Sequence, residues 1–235
     1  MANELLEIQD IHTFIGQFHI LEGVSVSVPR GGITVLLGRN GAGKTTTLRS
    51  IMGLHTVSQG RIDYHGTSLL KQSVHKIAQN GLGYVPYHRA IFKELTVREN
   101  LEISERKKDD LLQKRDFIFE LFPDLERLYG LQGGNLSGGQ QQMLAIARAL
   151  VPDNDLLLID EPSEGLAPII IEQLIHAIKQ LSVDKTVLLV EQNFRVASLL
   201  ADQYVIIDEG RSVANGTMES LTQDTDLIRQ YLGVA

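Results

Sequence analysis

Short, β-branched apolar runs recur along the chain, and each one ends in polar residues. ITVLL at Ile33–Leu37 leads into a Gly-rich turn, and LLLI at Leu156–Ile159 leads into Asp160-Glu161. TVLLV at Thr186–Val190 leads into Glu191-Gln192-Asn193, and YVII at Tyr204–Ile207 into Asp208-Glu209-Gly210. Runs that are apolar at consecutive positions, instead of alternating, predict parallel strands covered on both faces. Between them the apolar period becomes helical. Met143, Ile146, Ala147 and Leu150 follow it within Gln141–Val151, as do Ile171, Leu174, Ile175, Ile178 and Leu181, with Pro168 where a first turn tolerates it. This alternation predicts an open α/β sheet, which binds ligands beyond the carboxyl ends of its strands.

The start of the chain reads differently. Leu5–Ile8 and Val24–Val28 predict antiparallel strands, with Gly31-Gly32 turning the second into Ile33, and Arg61–Tyr64 before His65-Gly66 predicts another. From about Thr96 to Leu136 the sequence is helix-forming. Within it, Glu102–Asp116 carries five basic and five acidic side chains. Neither sign dominates, so this stretch reads as a solvated helical face and not as a nucleic-acid patch. The expected organisation is one domain over residues 1–235. It has an α/β core, an antiparallel N-terminal part and a helical insertion at about 88–150.

Composition narrows the function classes. The chain has 235 residues, no Cys, and a formal charge of −7. Disulfides, thiol catalysis and Cys-ligated metals are excluded. The seven His residues are scattered, and no pair among them has metal-ligand spacing. No apolar run approaches the roughly 20 residues of a spanning helix. The N-terminal MANELLEIQD lacks the basic and apolar regions of a secretory signal. A cytoplasmic chain is expected, held at a membrane only by other subunits.

Gly38-Arg39-Asn40-Gly41-Ala42-Gly43-Lys44-Thr45 matches the phosphate-loop pattern G-x-x-x-x-G-K-[ST], between an apolar run and a helical one that opens with Thr46. Phosphate oxygens must approach backbone N–H groups closely, which calls for glycine and a helix N-terminus. Lys44 adds a point charge for the β- and γ-phosphates, and the Thr45 hydroxyl can ligate Mg²⁺. Asp160, at a strand end, is the second candidate Mg²⁺ residue, acting through water. Glu161 is the candidate general base. Leu136-Ser137-Gly138-Gly139-Gln140 opens a further helix, with Ser137 as a natural N-cap and glycines that leave N–H groups accessible.

LSGGQ, in order between the phosphate loop and Asp160-Glu161, resembles the signature of the ATP-binding cassette (ABC) family, and the likeness spans nearly the whole chain. The resemblance implies a P-loop NTPase core and ATP hydrolysis. Two cassettes would pair head to tail, with ATP between the phosphate loop of one and Ser137, Gly138, Gly139 and Gln140 of the other. Movement would pass to transmembrane permease subunits, and a solute-binding protein would be an indirect partner. LSGGQQQMLAIARAL, DEPSEGLAPIII, LLVEQN, LFPDLERL and the terminal YLGVA resemble the ATPases of branched-chain amino acid importers. VLLGRNGAGKTT is equally at home in the urea and short-amide importers. Non-transport cassettes generally bring coiled-coil inserts, tandem cassettes or basic arms, and the chain has none of these.

Three positions depart from the broad family pattern. Gln192 stands where most ABC ATPases have a His that contacts the γ-phosphate. Gln donates a hydrogen bond but cannot carry a proton. Tyr87 follows GLGYVP, where the family has Gln or Glu touching Mg²⁺ and the attacking water. A phenol is a poor Mg²⁺ ligand at neutral pH, so weakened positioning of metal or water is expected unless neighbouring residues compensate. The aromatic ring that the family stacks on adenine is replaced by Ile15, with Phe14 one residue earlier. Either Phe14 takes over, or Ile15 or Ile20 makes an aliphatic contact.

Overall fold

A computed structural model describes residues 4–233. The first three residues of the N-terminal stretch, and the last two of the terminal YLGVA, lie outside the described residues. The elements run β1 (Glu4–Ile15), β2 (Phe18–Pro29), β3 (Ile33–Leu37), α1 (Lys44–Ile51), β4 (Val57–Tyr64), β5 (Thr67–Ser68), α2 (Val74–Gln79) and β6 (Leu82–Val85). The helical stretch follows as α3 (Val97–Glu102), α4 (Asp110–Leu121), α5 (Pro123–Arg127) and α6 (Gly138–Leu150). The chain then forms β7 (Leu156–Asp160), α7 (Pro168–Asp184), β8 (Thr186–Val190), α8 (Phe194–Leu200), β9 (Gln203–Asp208), β10 (Arg211–Thr217), α9 (Met218–Gln223) and α10 (Thr225–Leu232).

Two sheets organise these elements. One has the order β2-β1-β4-β5, and its pairings are antiparallel. The other has the order β10-β9-β3-β8-β7-β6. It is parallel except for β10, which returns antiparallel along β9. The predicted class is therefore the observed one, an α/β core with an N-terminal antiparallel sheet and a helical insertion. The sequence reading omitted β10, because RSVANGT alternates exposed and half-buried positions and lacks an apolar run. Such alternation suits a strand covered on one face only.

The apolar runs explain the layering. In β3, Val35 and Leu37 join one buried cluster while Leu36 joins the other. Leu157 and Ile159 oppose Leu156 and Leu158 in the same way, and Val187 and Leu189 oppose Leu188 and Val190. The first cluster takes in α6, α7 and α8, and the second takes in α1 and the antiparallel sheet. Strands covered on both faces have nothing to gain from polar alternation, so they read as continuous apolar runs. Each buried Leu or Ile contributes about 1.5–3 kcal/mol.

The parallel register sets the position of the chemistry. Asp160 pairs with Val190, so Glu161 and Glu191 each follow the last paired position of neighbouring strands. The phosphate loop leaves the carboxyl end of β3, two strands from β7 in the order β3-β8-β7. All three loops thus open on the same edge of the sheet.

Candidate active site

The phosphate loop folds as its glycines require. Gly38 has φ 147°, and a Cβ there would collide with the carbonyl oxygen of Ile207. Only glycine lets β3 turn this close to β9. Helix α1 starts at Lys44 without a side-chain cap, leaving its first amides for a ligand.

Lys44 is only 4% exposed. Its Nζ donates to the carbonyls of Gly38 at 2.9 Å and Arg39 at 3.2 Å, and lies 3.4 Å from Oε1 of Glu161. Thr45 Oγ1 donates to Oδ1 of Asp160 at 2.9 Å. The phenol of Tyr84 donates a longer bond, 3.4 Å, to Oδ2. Burial raises the Asp160 carboxyl above its ordinary range. The Thr45 bond opposes this, and the neighbouring Glu161 charge adds to it. Burial and the Asp160 charge together push the Tyr84 phenol up to about 12, so it remains a donor at neutral pH.

A cleft of about 560 Å³ opens above these groups. Asn40, Gly41, Gly43, Lys44, Thr45 and Thr46 line it from the phosphate side, and Glu161, Gln192 and Tyr87 face them. Ile15 and Ile20 close another part of the wall. Phe14 instead stacks on His19, with ring centroids 4.2 Å apart and an interplanar angle of 6°. Gly38 and Arg39 contribute the carbonyls that hold Lys44, and Ala42 is buried in the core.

Ser137, Gly138, Gly139 and Gln140 do not line this cleft. They begin α6 in a reciprocal cap: Ser137 Oγ accepts from the Gln140 amide, and the Gln140 side chain accepts from the Ser137 amide. Gly139 packs so closely that a Cβ would lie 2.7 Å from Cγ2 of Ile170.

Several cleft or supporting residues escaped the sequence reading. Arg49 and Glu164 line the cleft, and Tyr84 rather than Tyr87 reaches Asp160. Arg49 carried one faint signal, lying about one turn beyond Thr45 on the same face of the helix. Tyr84 carried none, because its reach depends on the pairing of β6 with β7.

Residues 21–164 match the ABC transporter family. The chain belongs to that family. It is 41% identical over 232 residues to the high-affinity branched-chain amino acid transport ATP-binding protein BraG of Pseudomonas aeruginosa, covering 97% of this chain and all of that one. It is 35% identical to the probable branched-chain amino acid transport ATP-binding protein LivF of Archaeoglobus fulgidus, over 93% of this chain and 94% of the relative. Among solved structures, it superposes with a TM-score of 0.84 on the ADP conformation of an ATP-binding cassette of an ABC transporter, with 25% identity over 96% and 97% of the two chains. This ABC protein is thus a nucleotide-binding ATPase. Among its described residues no helix is long and apolar enough to cross a membrane.

Proposed function

We propose that this ABC ATPase powers import of branched-chain amino acids, as one cytoplasmic subunit at the inner face of a membrane. The observation that carries the hydrolytic part is the convergence of Lys44, Thr45, Glu161 and Gln192 on one cleft, with Asp160 beneath Thr45. The solute reading draws on the names of BraG and LivF.

In this reading ATP places its phosphates over Gly38–Thr46, with Asn40 and Gly41 in the loop and Lys44 released from Glu161 to meet the γ-phosphate. The released Glu161 accepts a proton from water while that water's oxygen bonds to the γ-phosphorus. The bond between the γ-phosphorus and the β–γ bridging oxygen breaks, leaving ADP and phosphate. Gln192 donates a hydrogen bond to the γ-phosphate and takes no proton. Ile15 and Ile20 give the base an aliphatic wall, and Phe14 serves its stack with His19.

Mg²⁺ suits the donor set. Thr45 and Asp160 present hard oxygens 2.9 Å apart, and a cation would relieve the buried Asp160 charge. When bound it would neutralise charge on the β- and γ-phosphates. Among the described residues no group of three or more His, Asp or Glu forms a closed metal site, which suits an ion held largely by phosphate and water.

Because Ser137–Gln140 lie outside the cleft, a second ATPase subunit would bring its own signature helix to this nucleotide, in a head-to-tail pair. The whole chain then acts as one ATPase domain, with the insertion at about 88–150 presenting the signature. Permease subunits take up the motion, and a solute-binding protein delivers the cargo. Reconstitution with permeases tests this: ATP-dependent uptake of labelled leucine is expected. Uptake of urea or acetamide in its place would move the protein to the short-amide importers.

A further inference from the structure

Outside the cleft lies a buried carboxylate with no role in the mechanism above. Glu191 is 1% exposed, immediately after β8 and immediately before Gln192. Its Oε1 accepts the backbone N–H of Ser163 at 3.2 Å, and its Oε2 accepts that of Asn193 at 3.3 Å. Ser163 lies two residues beyond Glu161, and Asn193 one beyond Gln192. One side chain therefore ties the loop of the candidate base to the loop of the candidate γ-phosphate donor.

The backbone around it is built to the same end. Glu191 N donates to Leu36 O near the end of β3, and Glu161 N donates to Val190 O. Glu161 itself sits at φ 45°, an uncommon conformation for a residue with a side chain, which persists only where the surroundings hold it. Burying a carboxylate is costly unless its oxygens are hydrogen-bonded. Burial, the larger effect, raises the Glu191 carboxyl above its ordinary range against those hydrogen bonds, and the Glu161 charge adds to the rise. An apolar residue would fill the space without that cost but would leave the buried Ser163 amide unpaired and the Asn193 amide without its partner.

We propose that Glu191 is a positioning residue that locks the Glu161 and Gln192 loops into a common geometry for hydrolysis. This rests on the roles proposed for Glu161 and Gln192. It places the determinant of their alignment on the residue that a Gln at 192, unable to carry a proton, leaves as the neighbouring acid.

The test is steady-state ATP hydrolysis by the full chain, alongside binding of a non-hydrolysable ATP analogue and thermal melting. Glu191→Ala should lower kcat at least tenfold, while KM for ATP and the analogue Kd stay within about twofold, because the phosphate loop is untouched. Glu191→Gln keeps the volume and one acceptor oxygen but turns an NH₂ toward an N–H. Its kcat should fall between those of Glu191→Ala and wild type. Should Glu191→Ala fail to fold, Glu191→Gln alone decides: reduced kcat at unchanged KM and Kd supports the proposal, and wild-type kcat overturns it. Wild-type kcat in Glu191→Ala also overturns it, as does loss of analogue affinity in step with Tm, the mark of a merely structural role. Glu161→Gln, run beside them, separates the readings. If it retains full turnover, the base assignment is wrong whatever Glu191 does.

Discussion

Nζ of Lys44 lies 3.4 Å from Oε1 of Glu161, joining the cation of the phosphate loop to the carboxylate that follows β7. Both side chains are largely buried, so each charge is compensated by the other. In the proposed mechanism phosphate binding exchanges this partnership for a new one and frees Glu161 for water. Glu161→Gln should leave ATP-analogue affinity within a few-fold of wild type and lower kcat by roughly 10²–10⁴, the range of a lost general base. Full turnover in that variant, in a phosphate-release assay, removes Glu161 from the role.

Asp160 yields a prediction with a definite pH sign. Its carboxyl is raised by burial, so the native state binds that proton more tightly than the unfolded chain. The ionised form therefore costs stability at neutral pH, and the cost disappears as pH falls through the raised value to the ordinary one. In metal-free buffer Asp160→Asn should melt above wild type at pH 7, with the gap closing toward pH 4. Added Mg²⁺ with ATP should raise the wild-type Tm more than the variant's. An Asn variant less stable at pH 7 would contradict this.

Tyr87 lines the cleft yet is half exposed, whereas Tyr84 holds Asp160. A phenol at 87 supplies neither a carboxamide nor a carboxylate to orient water. Tyr87→Gln should raise basal turnover, by roughly threefold to tenfold if one oriented hydrogen bond is restored. An unchanged or lower rate means that neighbouring groups already compensate.

The part of the cleft proposed for the base is lined by Ile15 and Ile20. Ile15→Tyr should tighten ATP binding by about 0.5–1.5 kcal/mol, roughly two- to twelvefold in Kd, if the ring stacks on adenine. Phe14→Ala should change Kd by less than twofold, because Phe14 faces His19. A large loss on Phe14→Ala, read by nucleotide fluorescence titration, would return the stacking role to Phe14.

Asp153 accepts from Lys185 at 2.8 Å and from Lys114 of α4 at 3.1 Å. These hydrogen bonds, Lys185 first, hold its carboxyl down to about 2. A lowered carboxyl contributes stability above its ordinary range near 3.8, and that contribution is lost as pH falls toward 2. The side chain is mostly exposed, so solvent screening limits the effect at neutral pH to less than about 1 kcal/mol. Asp153→Asn should lower Tm slightly at pH 7 and match wild type near pH 2. An equal gap at both would assign the loss to packing.

Much of this protein was legible before its tertiary structure. Continuous apolar runs announced strands buried on both faces, because such strands admit no polar alternation. The phosphate loop, Asp160-Glu161 and the Ser137 cap were legible because their chemistry is local: a tight turn, a strand end and a helix start each demand particular residue types within a few positions. Tertiary structure decided what pairing and packing control. The register of β7 on β8 set Glu161 beside Glu191 and brought Ser163 within reach of that buried carboxylate. The pairing of β6 with β7 gave Asp160 to Tyr84, and the β1–β2 register set Phe14 opposite His19 and left Ile15 at the cleft. Such partners are distant in sequence, and no local period records which residues a neighbouring strand will bring near.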